Sequence, residues 1–308
     1  MGERRPARGY ALAALGAAMW ALNGTMAKEL LDDGVDALRL AQLRSAGSWL
    51  LLAAVLGLFR RDLVRVDRRE LPSLALVGVV GLAGVHATYF LAIDRLQIGV
   101  AVTIQYLAPL LLLLWLRFAH GRHLPANLWA AVGLSVVGCF LVVRAYDVGA
   151  LDAAGVAAAF GAALTWAIYM VGSERAGRVH QPVTTLFWSF GFASLLWALV
   201  VPWWRFPFAE LDSAGNALLA AGVVLVGTLL PFACLVAALR HIPAPRAGVV
   251  ATLEPVLAAL FAWVFLGEEL AAVQLLGGAA VLAAVVWVQA HRPDLEAELA
   301  PPSVRAAR

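Results

Sequence analysis

The chain has 308 residues, 62% of them hydrophobic and 14% charged, with a mean hydropathy of +0.83. A soluble domain carries about 25% charged residues, so a soluble globule is excluded. A membrane barrel is excluded as well, since it would alternate apolar and polar over roughly 10-residue segments. A net charge of +3 would suggest nucleic acid in a soluble chain. Here the basic residues follow membrane topology instead, so no nucleic-acid partner is expected. The fold class read from composition is an all-α polytopic membrane protein.

Residues 1–8 are basic, with Arg4, Arg5 and Arg8. The apolar run at about 9–31 exceeds the h-region of a secretory signal and lacks a clear cleavage site. It reads as the first of ten spans. The others lie at about 37–59, 71–93, 97–117, 124–143, 151–173, 182–203, 215–239, 244–266 and 271–290. The polar tail 291–308, with Pro301 and Pro302, is expected to be disordered. Cys139 and Cys234 lie far apart in apolar runs and read as small hydrophobes, with no metal-ligand spacing.

In the first span Trp20, Asn23, Gly24, Ala27 and Lys28 follow a spacing of three to four and share a face. That face is polar and aromatic where lipid demands aliphatic side chains, so it is expected to line a cavity. Lys28 either belongs to that face or snorkels to the interface. Arg44 lies inside the second span beside Gln42, Ser45 and Ser48. It either pairs with an acid or binds a solute carboxylate through its guanidinium fork. The third span carries His86, Thr88 and Tyr89, where His86 is either a packing residue or a proton carrier.

The fourth span carries Gln105, Tyr106 and Pro109; Pro109 frees the carbonyl of Gln105. In the sixth, Thr165, Trp166 and Tyr169 repeat the aromatic face of the first. Trp20 and Trp166 either clamp an organic solute from two sides or pack. Trp188, Trp197, Trp203 and Trp204 fit an interface or lipid role. Pro231 marks a kink in the eighth span. The ninth holds Glu254 directly before Pro255. A carboxylate near mid-membrane costs about 2.5–3.5 kcal/mol on the lenient insertion scale. Pro255 frees the carbonyl of Ala251 at the same depth. Either this is a structural kink with a hydrogen-bonded neutral acid, or Glu254 serves a solute or proton pathway, and Pro109 and Pro255 its gating.

Glycines 78, 81 and 84 let helices approach and are not a nucleotide loop, since no strand precedes them. His120 and His123 lack further ligands for a metal.

Alternate connections divide the basic residues unequally. One set holds Arg4, Arg5 and Arg8; Arg60, Arg61, Arg65, Arg68 and Arg69; Arg117 and Arg122; Arg175 and Arg178; Arg240 and Arg246; and Arg292, Arg305 and Arg308. The other holds only Lys28, Arg39, Arg95, Arg144 and Arg205. The bias predicts both termini in the cytoplasm and an even number of spans.

The chain also repeats itself at an offset of 146 residues. Trp20 meets Trp166, Gly81 meets Gly227, Pro109 meets Pro255 and Gly121 meets Gly267. Five spans per copy invert the second copy in the membrane. This is the architecture of many secondary transporters, with the solute site between the halves near the midplane. The repeats are placed at 1–146 and 147–290.

Ten spans in two five-span repeats resemble the EamA-type transporters of the drug/metabolite transporter superfamily. The resemblance rests on Trp20, Asn23 and Lys28 in the first span, Arg44 in the second, Trp166, and Leu253–Glu254–Pro255. Gly267–Glu268 and Gly277–Gly278 complete it. It implies export of small metabolites, amino acids or related compounds across the bacterial inner membrane by alternating access. One departure is that Arg122 stands where the first repeat often carries the counterpart of Glu268.

The expected partners are a small-molecule solute, the lipid bilayer and protons as candidate coupling ion, in a monomer or homodimer. No cofactor, metal or catalytic residue is expected. A membrane-embedded enzyme would want a nucleophile or metal motif that the spans lack. A channel would want rings of like charge or carbonyls.

Overall fold

The structure is a computed structural model that describes residues 5–93, 95–96, 98–119, 121, 124–146, 152–206, 208–211, 213–261, 263–264 and 271–290. Arg122, His120, His123, Gly267, Glu268 and the tail 291–308 lie outside the described residues, as does the side chain of Lys28. Among the described residues all regular structure is helical.

The helices in chain order are α1 (Pro6–Asp32), α2 (Ala37–Phe59), α3 (Leu71–Ala75), α4 (Gly84–Ile93), α5 (Ile98–Gln105), α6 (Ala108–Phe118) and α7 (Ala126–Val142). They continue as α8 (Ala153–Ala176), α9 (Pro182–Val200), α10 (Ala214–Val224), α11 (Leu230–Ala238), α12 (Ala244–Ala251), α13 (Leu253–Phe261) and α14 (Ala272–Ala290). Local chemistry sets several starts. Asp36 caps α2, its carboxylate accepting from the amides of Leu38 and Arg39 at 2.9 and 3.0 Å. Asp152 caps α8 through the amide of Gly155 at 2.7 Å, and Ser213 caps α10 through that of Asn216 at 3.0 Å. Each such cap stabilises a helix by about 1 kcal/mol.

Several helices run together into longer stretches. Seven stretches are long and apolar enough to cross a bilayer: Leu38–Phe59, Leu71–Tyr89, Val100–Phe118, Ala153–Ala176, Pro182–Val200, Ala214–Ala238 and Ala244–Phe261. α7 and α14 are apolar but shorter. α1 is long enough at 27 residues but carries Lys28, Glu29 and Asp32 near its end. Large apolar side chains stand open on the outer surface, among them Phe59 and Leu199, each 76% exposed. Such a surface suits lipid and would drive association in water.

The halves exchange contacts. α1 packs on α11, α12 and α13, while its repeat counterpart α8 packs on α4, α5 and α6. α2 meets its own counterpart α9, and α7 meets α14. Glycines mark the closest approaches. A Cβ on Gly9 would come within 2.8 Å of His241, and one on its counterpart Gly155 within 2.9 Å of Arg95, the counterpart of His241. Gly81 lies against the backbone of Tyr169, while Gly227 leaves room for the amide of Asn23. Both pairs are the same contact with the halves swapped.

Trp197 departs from its expected interface role. It is 3% exposed and belongs to the core, because α9 turns this face toward α2 and α11 rather than lipid. Trp204, at 83% exposed, does face outward.

Candidate functional site

Two broken helices meet at the centre. α5 and α6 are separated at Tyr106 and Leu107, and α12 and α13 at Thr252. Tyr106 and Thr252 are repeat counterparts. Pro109 and Pro255 are both buried just past the breaks, where their missing amides leave the helical ladder incomplete. Two π-helical segments, Leu76–Ala83 and Leu225–Leu229, also fall at overlapping repeat positions. Single π turns inside α-helices are frequent at functional sites. The sequence offers no pattern for them beyond Gly81 and Gly227.

Arg44 is anchored on the second π segment. Its Nε donates to Thr228 Oγ1 at 2.8 Å and its Nη2 to the carbonyl of Gly227 at 3.2 Å. Thr228 in turn donates to the carbonyl of Val223 at 2.7 Å. A hydroxyl and a carbonyl of the other half hold Arg44 here, rather than an acid among the described residues. Among the described residues the ion pairs are Arg39–Asp36, Arg60–Asp62, Arg95–Asp152, Arg178–Glu174 and His180–Glu70. Arg44 is in none of them.

Glu254 is anchored from the opposite direction. Its Oε2 accepts from the Tyr106 hydroxyl at 2.7 Å. It also stands in the first turn of α13, where unpaired helix amides favour a carboxylate. The Cys139 thiol lies 3.8 Å from the carbonyl of Thr252 at the same break. Arg44 and Tyr89 both lie within electrostatic reach of Glu254. Arg44, Tyr89, Gln105 and Glu254 are half-buried, so this deep region is open enough to leave polar side chains partly exposed.

An aromatic cluster adjoins α1 and α8. Trp20 and Trp166 meet edge to face with ring centres 5.6 Å apart. Phe232 stands between them, 5.3 Å from Trp20, 5.9 Å from Trp166 and 5.4 Å from Tyr169. Tyr169 stacks on Trp166 at 5.5 Å, and His86 lies edge-on to Phe232 at 6.3 Å. The two tryptophans pack on each other and on Phe232, which contacts both. Phe232 was not singled out by its residue type. The repeat does expose it, since it is the counterpart of His86.

Asn23 is buried against Gly227, and its Oδ1 accepts no hydrogen bond among the described residues. His86 is buried with its Nδ1 unbonded. Pro109 packs on Gly248, where a Cβ would come within 2.8 Å. Thr228, Gly227 and Cys139 join the site without having been anticipated in it.

The arginine-rich end of the bundle is tightly packed. All eight residues of α12 are buried, including Arg246 at 0% exposure. Arg246 is thus no loop residue: it stands in the first turn of α12, two residues after the helix begins at Ala244. Glu174 accepts from the amide of Ala244 at 2.9 Å and fixes that start. Nearby, the amide of Arg5 points to His241 Nδ1 at 3.4 Å. Partial burial, then the charges of Arg8, Arg240 and Arg5, hold the His241 imidazole below its ordinary pKa, which suits a neutral acceptor.

The model of the EamA-like transporter family matches this chain twice, at residues 7–144 and 153–289. The threonine/homoserine exporter RhtA of Escherichia coli K12 is 33% identical over 259 residues, 82% of this chain and 79% of that one. Its namesake from Salmonella typhimurium is 31% identical over the same share. An uncharacterised transporter of Archaeoglobus fulgidus is 29% identical over 86% of this chain and 91% of its own. A crystal structure at 18% identity superposes with a TM-score of 0.73 over 94% of this chain and 98% of that one, which speaks for the fold. The chain belongs to the EamA-like transporter family.

Proposed function

We propose that the chain is a secondary transporter that exports small metabolites, amino acids or related compounds, by alternating access across the bacterial inner membrane. In this reading ten spans form two inverted repeats, at 1–146 and 147–290, with both termini and the tail 291–308 in the cytoplasm. The observation that carries it is the pair of polar contacts between repeats. Arg44 of the first repeat is held by Thr228 and Gly227 of the second, and Glu254 of the second by Tyr106 of the first. Both lie beside broken or π-helical segments, where irregular backbone is tolerated only against protein or water. The family membership and the named exporter relatives add the direction and the solute class.

Protons are the proposed coupling ion, with Glu254 as their carrier. A carboxyl in this position takes up and releases a proton as the cavity opens to each side. The buried arginine-rich end and the half-buried Arg44, Tyr89 and Glu254 support a state closed toward the cytoplasm.

The test is untargeted mass spectrometry of culture medium from cells overproducing the chain and from cells with empty vector. The expected result is accumulation of amino acids or close relatives outside the overproducing cells. Unchanged medium, with folded protein shown in the membrane and no solute movement in proteoliposomes, would end the exporter reading.

A further inference from the structure

We infer that Arg44 and Glu254 are the two poles of a site for a zwitterionic amino acid, the guanidinium taking the carboxylate and the Glu254 carboxylate taking the ammonium. This rests on the transport reading above and names the solute chemistry of the same site.

The repeat symmetry holds around the site and fails at these two residues. Trp20 faces Trp166 across the repeat, Pro109 matches Pro255, and the π segments overlap in register. The counterpart of Arg44 is Phe190, and that of Glu254 is Ala108. A symmetric scaffold thus carries two opposite charges at positions whose counterparts are apolar. A solute with one cationic and one anionic end matches that asymmetry; a uniformly charged or neutral solute does not.

Both groups also have unused hydrogen-bonding capacity. Arg44 spends Nε and Nη2 on Thr228 and Gly227, and Glu254 spends Oε2 on Tyr106. Arg44 Nη1 and Glu254 Oε1 have no hydrogen-bond partner among the described residues, and both side chains are half-buried rather than sealed. The two groups form no ion pair with each other among the described residues. A bridging zwitterion completes both groups with charge-assisted hydrogen bonds.

The test uses the full chain in proteoliposomes. Release of an equimolar mixture of free amino acids is compared with that of their N-acetyl derivatives and their carboxamides, read by mass spectrometry. The wild type is expected to release free amino acids at least tenfold faster than either derivative, because each derivative leaves one buried pole unpaired. Glu254→Gln should reduce the discrimination against N-acetyl derivatives alone. Arg44→Gln should reduce that against carboxamides alone. If the wild type releases amino acids and either derivative equally, the zwitterion site is wrong while the exporter reading stands. The same holds if both variants keep wild-type discrimination. If no amino acid moves at all, both readings fall. Where a variant does not fold, the wild-type comparison decides by itself.

Discussion

At Glu254, a single hydrogen bond does much of the positioning. Tyr106→Phe removes the 2.7 Å bond and nothing else of its shape. Hydrogen bonds to charged groups contribute about 1.5–3 kcal/mol. The variant should therefore fold, with a modestly lowered Tm and a several-fold loss in transport; unchanged transport would show that Tyr106 does not position the acid. Thr228→Val is the matching change for Arg44. It keeps volume but removes the acceptor at 2.8 Å, and should weaken solute affinity more than it weakens stability. Glu254, Arg44 and Tyr106 were legible in the sequence because charge and phenol are conspicuous in apolar runs. Their partners were not: Thr228 and the carbonyl of Gly227 carry no charge, and only the fold brings them within reach of a residue some 180 positions away.

Among the elements, the broken helices and the π segments share a purpose. Each frees backbone groups at the level where polar side chains gather, and each occurs at matching positions in the two repeats. Proline made the breaks readable, since a missing amide is written in the sequence. The π segments left no such mark, although each contains a glycine, Gly81 or Gly227, at which another element approaches closely. Pro255→Ala restores the amide and should heal the α12–α13 break. The expected outcome is a Tm at or above wild type with transport reduced at least tenfold. A stable variant with full transport would make the break a packing feature. Filling Gly227 tests the neighbouring approach. Gly227→Ala overlaps the Asn23 amide and should cost about 1–3 kcal/mol as overpacking. Asn23→Ala in the same chain should recover most of that loss, read as coupling in a double-mutant cycle.

For the whole molecule, the exchange of contacts between halves supplies a means of switching. α12 is wholly buried, whereas its counterpart α5 leaves Ile104 and Gln105 half-exposed. If the repeats trade conformations, α5 closes as α12 opens. Cysteines placed singly at Ile104 and at its counterpart Val250, in chains lacking Cys139 and Cys234, should respond oppositely to added solute, the rate of reaction with a hydrophilic maleimide rising at one position as it falls at the other. Rates that rise and fall together would contradict alternation of the two repeats. The repeat that suggests this was visible as Trp, Pro and Gly matches at one offset. The closed aromatic centre was not, because Phe232 reads as one apolar residue among many until it is set beside His86.

The most direct test of the account is solute movement in proteoliposomes carrying wild type or Glu254→Gln, with and without an imposed pH gradient. The gradient should drive net amino-acid movement through the wild type. The variant should retain exchange of solute at weakened affinity, since the Gln carbonyl still accepts from an ammonium, and should ignore the gradient. A variant that responds to pH as the wild type does would contradict the role of Glu254 and with it the proposed coupling.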